Sequence, residues 1–190
     1  MTLHLVGTLL WGAFLLSWFA AAAWTSPAIR RSSRLSRARD AFFYLVSFTL
    51  LFTPRIWIPG LWDVPVVLGC ILLALELLSF AFAWWARRHL GELWSGWITL
   101  RTGHRVIEAG PYRLVRHPVY TGFIGAAWAF ALLTTSPTAL LGAALLSGHM
   151  ASKAKREERF LRAELGAAQY DSYAAKTPML LPTLKRHARH

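Results

Sequence analysis

Between two strongly apolar regions the chain reads GPYRLVRHPVYTG, Gly110 to Gly122, and the run from Pro118 to Ser136 contains no charged residue. Two arginines, two tyrosines and a histidine therefore stand at the start of an apolar helix. Further along, the pair Glu157 and Glu158 lies in a charged helical stretch, and Tyr170 and Tyr173 follow three residues apart. Arg116 and His117 are side chains that grip an anion. Glutamates accept hydrogen bonds from cations and hydroxyls, and tyrosine rings offer a face to positive charge. Each also has a plainer reading. Arginines commonly flank membrane helices, and Arg113 is read as such an anchor. His117 before Pro118 could cap a helix whose first turn holds the proline. A glutamate pair on a charged helix is usually a solvated face. The spacing of His117 to Tyr120 and Gly122, taken with the distant glutamates, favours a functional role for His117. For Tyr170 and Tyr173, which share a helix face, interfacial packing and ligand contact both stay open.

These residues need a scaffold, and the composition says which kind. Of the 190 residues, 55% are hydrophobic and 16% charged, whereas charged residues make up about a quarter of a soluble globular chain. Ten tryptophans fit the headgroup layer of a bilayer. The expectation is an all-α polytopic membrane protein, one domain over 1–190, with two spans in 1–62 and the remainder in 63–190. Leu3 to Trp24 is a 22-residue apolar run, long enough to cross roughly 30 Å of hydrocarbon at about 1.5 Å per residue. No Lys or Arg precedes it, which argues against a cleaved signal peptide. Ala41 to Thr53 reaches spanning length only by continuing through Pro54 and Arg55 towards Gly60, with Arg55 snorkelling to the interface. Val64 to Ala86 is interrupted only by Glu76, an intramembrane carboxylate that is either functional or paired with Arg87 or Arg55. Pro118 to Ser136 and Pro137 to Ser152 complete five spans, and the last run passes without a breaker into KAKREERFLRAEL. Gly122, Gly125, Gly142 and Gly148 are expected to allow close helix packing, and His149 is read as a structural polar residue.

The lone Cys70 excludes an intrachain disulfide and reads as a small hydrophobe. No H-E-x-x-H or comparable spacing marks a metal site. The net charge of +12 would suggest nucleic acid in a soluble protein. Here 20 of the 21 Lys and Arg residues fall on one side of the five spans, leaving only Arg55 on the other. The positive-inside rule and anionic lipid account for that charge, and no nucleic-acid partner is needed.

Three segments, RRHLGELWS, HRVIEAGPYRLVRHPVYTG and REERFLRAELGAAQYDSYAAKTPMLLP, resemble the isoprenylcysteine carboxyl methyltransferases and the related phospholipid methyltransferases of membranes. The likeness runs in order from Arg87 to Pro182. It implies methyl transfer from S-adenosylmethionine to a lipid-like acceptor, with S-adenosylhomocysteine as product. The expected acceptor is a prenylcysteine-like carboxylate, with a phospholipid amine as the alternative. It further implies a cofactor pocket built from His104, Tyr112, His117, Tyr120, Glu157, Glu158, Tyr170 and Tyr173, with Arg116, Glu158 and Lys176 in catalytic roles. One glutamate is expected to face the cofactor and the other to pair with an arginine such as Arg116. Lys176 stands where the carboxyl methyltransferases carry an arginine that is a candidate for orienting the acceptor. No G-x-G-x-x-G loop of the soluble cofactor-binding kind occurs. A small transporter or sensor that binds an anion at the arginine–histidine region is the rival from a different class.

The expected setting is a bacterial or archaeal cell membrane, with the N-terminus outside and the C-terminus in the cytoplasm. Reporter fusions at the two ends should therefore report opposite sides of the membrane. Both ends on one side would overturn the five-span topology.

Overall fold

The computed structural model describes residues 3–21, 28–53, 60–101 and 106–182. Six α-helices dominate the described residues: α1 (Leu3–Ala20), α2 (Arg34–Leu51), α3 (Val66–Leu90), α4 (Pro118–Thr134), α5 (Pro137–Leu165) and α6 (Ala167–Lys176). The all-α expectation holds apart from one small ribbon. Strands β1 (Ala28–Arg31) and β2 (Thr99–Arg101) pair antiparallel, with Arg31 opposite Thr99 and an irregularity between Ala28 and Arg30. This ribbon joins the segment after α1 to the polar region after α3, a non-local pairing that neither short strand announces by pattern.

Two helices among the described residues are long and apolar enough to cross a membrane by length and composition, Leu3–Ala20 and Val66–Leu93. Helix α4 is apolar but shorter. On α3 the side chains of Val66, Val67, Ile71 and Leu78 are 51–74% exposed. An apolar face of that extent has to be covered, and lipid is the cover that a polytopic helix meets. The chain is a membrane protein. Helix α5, 29 residues long, extends roughly 44 Å, more than the hydrocarbon core needs, and its charges begin at Lys153.

The second span differs from the expectation. Instead of running on past Pro54, α2 begins upstream at Arg34, within the basic loop, and ends at Leu51. The Ser33 side chain accepts from the Ser36 N–H at 3.2 Å, which satisfies an orphan donor and starts the helix. A proline disfavours helical backbone in the residue before it, so Pro54 opposes the continuation. Arg55 lies outside the described residues.

The core is aromatic. Trp11 of α1 is fully buried, with the rings of Phe14, Phe48, Phe52, Phe80 and Phe123 centred 4.9–6.2 Å away. Helices α1, α2, α3 and α4 thus share one cluster, and α5 closes it through Ala143, Leu146 and Met150. Glu76 is fully buried on α3, and neither carboxylate oxygen has a hydrogen-bond partner among the described residues. It does not pair with Arg87, which lies eleven residues on, roughly 16 Å along the helix. That guanidinium donates to the Ala21 carbonyl and stacks 3.5 Å from the centroid of the Trp94 ring.

Close helix contacts rest on glycine at two places. A Cβ on Gly122 would lie 2.6 Å from the Ser79 carbonyl oxygen, and one on Gly142 would lie 2.7 Å from the backbone of Ser47 and Leu51. These positions bring α4 against α3 and α5 against α2. Gly148 has nothing within 4 Å of a notional Cβ, so the packing role expected of it is absent. Gly122→Ala should destabilise the protein by about 1–3 kcal/mol through overpacking, whereas Gly148→Ala should be neutral or stabilising by up to about 1 kcal/mol. Thermal unfolding of both variants in detergent checks the contrast.

Candidate active site

The polar region after α3 folds onto the start of α4. Gly110 takes φ +59°, and a Cβ there would sit 2.2 Å from His89 Nε2. Only glycine meets both demands. The turn carries Pro111 and Tyr112 into a short 3-10 helix, Gly110–Arg113, with both side chains buried. The chain then turns through Leu114 and bends at Arg116 before Pro118 opens α4. The Arg116 and His117 amides donate to the Pro178 and Met179 carbonyls at 2.8 and 3.1 Å. The Thr121 hydroxyl donates to the Leu180 carbonyl at 2.7 Å. The segment after α6 is thereby strapped across the start of α4.

Arg116 ties the parts together. Its Nε and one terminal nitrogen donate to the two oxygens of Glu158 at 2.7 and 3.2 Å, a bidentate pair. Its other terminal nitrogen donates to the carbonyls of Ala174 and Thr177. His117 Nε2 lies 3.0 Å from Glu158 Oε1. The His117 side chain makes no capping bond to α4, so the helix-cap reading is set aside. Glu157 points elsewhere. Its Oε2 accepts from the Tyr120 hydroxyl at 2.7 Å and lies 3.9 Å from His117 Nδ1. The His117 and Tyr120 rings stack with an interplanar angle of 2°.

Beside this array lies an open cavity of about 810 Å³, its mouth included. Tyr112, Arg116, His117, Tyr120, Glu157, Tyr170 and Tyr173 supply the polar lining. Leu90, Leu93, Trp94, Trp97, Val119 and Leu161 form an apolar wall. Of the residues expected at the site, Glu158 is not part of this lining but lies behind Arg116 and His117, and Lys176 is not part of it either. It is exposed and borders a separate depression with Glu108, Arg113, Tyr173 and Thr177. Lys176 is three residues beyond Tyr173 and shares its face, but it is the last residue of α6 and lies past the point where that face meets the cavity. His104 lies outside the described residues. Arg113 is exposed, as expected of an anchor.

Residues 70–163 match the model of the isoprenylcysteine carboxyl methyltransferase family. Over these residues, just under half of its length, the chain is similar to that family. It is 42% identical over 76 residues to the methanethiol S-methyltransferase of Mycobacterium tuberculosis, covering 40% of this chain and 30% of that protein. It is 29% identical over 168 residues to the cobalt-zinc-cadmium resistance protein CzcN of Cupriavidus metallidurans, covering 79% and 70% of the two. To a probable protein-S-isoprenylcysteine O-methyltransferase of Oryza sativa it is 30% identical over 82 residues, 43% of each chain. The chain thus spans less than half the length of the methyltransferases it matches. The family stretch contains Arg116, His117, Tyr120 and both glutamates. Helices α1 and α2, and the tyrosines of α6, lie outside it.

Several residues in the lining or behind it escaped the sequence reading. Trp94 and Trp97 look like members of an interfacial belt, and nothing in their spacing marks them as a cavity wall. Lys153 looks like the first charge of an emerging helix, yet it is 2% exposed. A signal was present, since Lys153 precedes Glu157 by four residues and so shares its helix face.

The ionisation states follow from the surroundings. Burial alone would raise the Glu158 pKa, but the hydrogen bonds and charges of His117 and Arg116 outweigh it and hold the carboxyl at about 2. Burial, reinforced by the Glu157 charge, pushes the Tyr112 phenol well above its usual range. Burial does the same to Tyr170 and Tyr173, so these phenols serve as neutral donors; Tyr173 donates to the Tyr112 carbonyl at 2.7 Å. Because the Glu158 pKa is depressed on folding, its stabilisation is complete above about pH 4.5 and fades as pH falls towards 2. Glu158→Gln should lower stability at neutral pH by about 1–3 kcal/mol and flatten its fall on acidification. Denaturant unfolding across pH 3–7 measures both effects.

Proposed function

We propose that this chain is an integral-membrane methyltransferase that binds S-adenosylmethionine in the cavity and methylates an apolar acceptor reaching it from the bilayer. The observation that carries the reading is the pairing, in one cavity, of a carboxylate–histidine–tyrosine array with an aromatic and aliphatic wall, at the start of an apolar helix. The donor set fits the cofactor. Glu157 suits its ammonium or ribose hydroxyls, His117 and the tyrosines suit its sulfonium and amino-acid end, and Leu93, Trp94 and Ile107 suit its adenine. When bound, the cofactor supplies an electrophilic methyl on a sulfonium.

The chain's own part is to position and to exclude water. Arg116 holds Glu158, Glu158 orients His117, and the strap after α6 keeps that arrangement against α4. Glu157 presents its carboxyl oxygens to the cavity surface as hydrogen-bond acceptors, and Tyr120 fixes their direction. The apolar wall removes water from the acceptor's path. We propose further that 1–190 acts as one catalytic unit spanning the membrane five times, with the site at the cytoplasmic leaflet.

For the acceptor we favour a thiol over a prenylcysteine carboxylate. A thiol arrives neutral and would pass its proton to the Glu157 carboxyl group or to water as its sulfur takes the methyl, whereas a buried carboxylate needs a counter-cation. Among the described lining residues Arg116 is the one arginine or lysine, and its guanidinium is already engaged by Glu158 and two carbonyls. Lys176, the other candidate for that task, stands outside the cavity. The mycobacterial relative, a methanethiol S-methyltransferase, points the same way. The carboxylate acceptor named for the plant relative is the second arm of the test.

Purified protein should bind S-adenosylhomocysteine in calorimetry, which a transporter or sensor has no reason to do. Labelled methyl should pass to small apolar thiols more readily than to prenylcysteine analogues or phospholipid amines. Arg116→Ala should weaken cofactor binding and transfer by about tenfold or more, with Arg113→Ala close to the parent. Absence of binding, or equal and mild effects at both arginines, would overturn the reading.

A further inference from the structure

Helix α5 carries a buried cation that the cavity lining does not account for. Lys153 is 2% exposed, and none of the ion pairs among the described residues includes it. Its ammonium donates to the Gly96 carbonyl at 2.6 Å and to the Tyr44 hydroxyl at 3.1 Å. It also lies 5.2, 5.9 and 5.7 Å from the ring centroids of Tyr44, Trp97 and Tyr120. Burying an ammonium with only neutral partners is costly, and an apolar side chain of similar length is commonly neutral or stabilising in such a place. A residue kept at a cost to stability is a candidate for function.

The four partners come from three different walls. Tyr44 belongs to α2, Gly96 and Trp97 to the wall before β2, and Tyr120 to the first turn of α4. Trp97 and Tyr120 line the cavity, and Tyr120 is the residue that fixes Glu157. Four residues before Glu157 on the same helix, Lys153 also sets the rotation of α5. A second rung lies beside it, where Arg156 donates to buried Asp40 of α2 at 2.7 Å. Asp40 and Tyr44 are one turn apart on α2, so the two rungs fix α5 against α2 in the turn that leads into Glu157.

We propose that Lys153 is a positioning residue of the cofactor cavity. Its ammonium joins α2, the Trp97 wall and Tyr120, and so holds Tyr120 and Glu157 in their mutual orientation. The inference rests on the methyltransferase reading and gives α2, which lies outside the family stretch, a share in the site.

The test uses full-length Lys153→Met, Lys153→Arg and Tyr44→Phe proteins in detergent. Melting temperature and S-adenosylhomocysteine affinity are measured on the same preparations. Lys153→Met should melt within about 3 °C of the parent or above it, while its affinity falls about tenfold or more. Lys153→Arg, which keeps the charge, should recover much of that loss. Tyr44→Phe removes one partner and should lose about threefold in affinity without a change in melting. A Lys153→Met protein that keeps the parent's affinity, or loses it only in proportion to unfolded material, overturns the proposal. So does an arginine variant no better than methionine. Should Lys153→Met not fold, Tyr44→Phe decides, and an unchanged affinity there is the overturning result. A parent protein that does not bind S-adenosylhomocysteine would instead sink the methyltransferase reading on which this depends.

Discussion

One guanidinium organises the site. Arg116 reaches the carboxylate of α5, a carbonyl at the end of α6 and a carbonyl in the strap beyond it. Its own backbone amide meets the strap as well. Segments more than forty residues apart in sequence are thereby drawn to the first turn of α4. An arginine suits this task because its planar fork satisfies a carboxylate with two bonds and still has donors left for carbonyls. A lysine in its place would hold the charge and lose the geometry. His117 then finds Glu158 already fixed, and Glu157, the neighbour on α5, is turned towards Tyr120 and the cavity.

The membrane imposes the other constraint. Polar groups within the hydrocarbon region are expensive, so a site of carboxylates and cations has to collect at the helix ends. The chain does so at one end of the bundle, where α3 finishes, α4 starts and α5 emerges. Two buried cations mark that boundary. Arg87 lies against the rings of Trp18 and Trp94 and donates to the Ala21 carbonyl, while Lys153 lies among Tyr44, Trp97 and Tyr120. Both use aromatic faces in place of carboxylates, and both support side chains of the cavity wall. The tryptophans that composition assigns to the headgroup layer thus also serve the site. Glu76 stands apart: it is buried in α3 with no hydrogen-bond partner among the described residues.

Much of the scaffold was legible in the sequence because helix formation in lipid is a local matter. Apolar run length and the prolines at 118 and 137 fix where α1, α3, α4 and α5 lie, since a helix satisfies its own backbone. Pairing Glu158 rather than Glu157 with Arg116 could be expected only as an alternative, because adjacent residues on a helix point about 100° apart and nothing local says which faces α4. The start of α2 was misjudged because the charged stretch around Arg34 hid a helix that Ser33 caps.

What sequence alone determined, then, is that this is a membrane chain with a polar motif at a helix entrance and a glutamate pair to answer it. The tertiary structure decided which glutamate anchors and which faces the cavity. It also decided that Lys176 stands outside the cavity, and that a lysine and two tryptophans without any motif help to build it. The physical reason is one of range. Helices and their caps are set by neighbours within a turn or two, but a cavity wall is made where distant segments meet, and only packing brings Lys153, Gly96 and Tyr44 to one point.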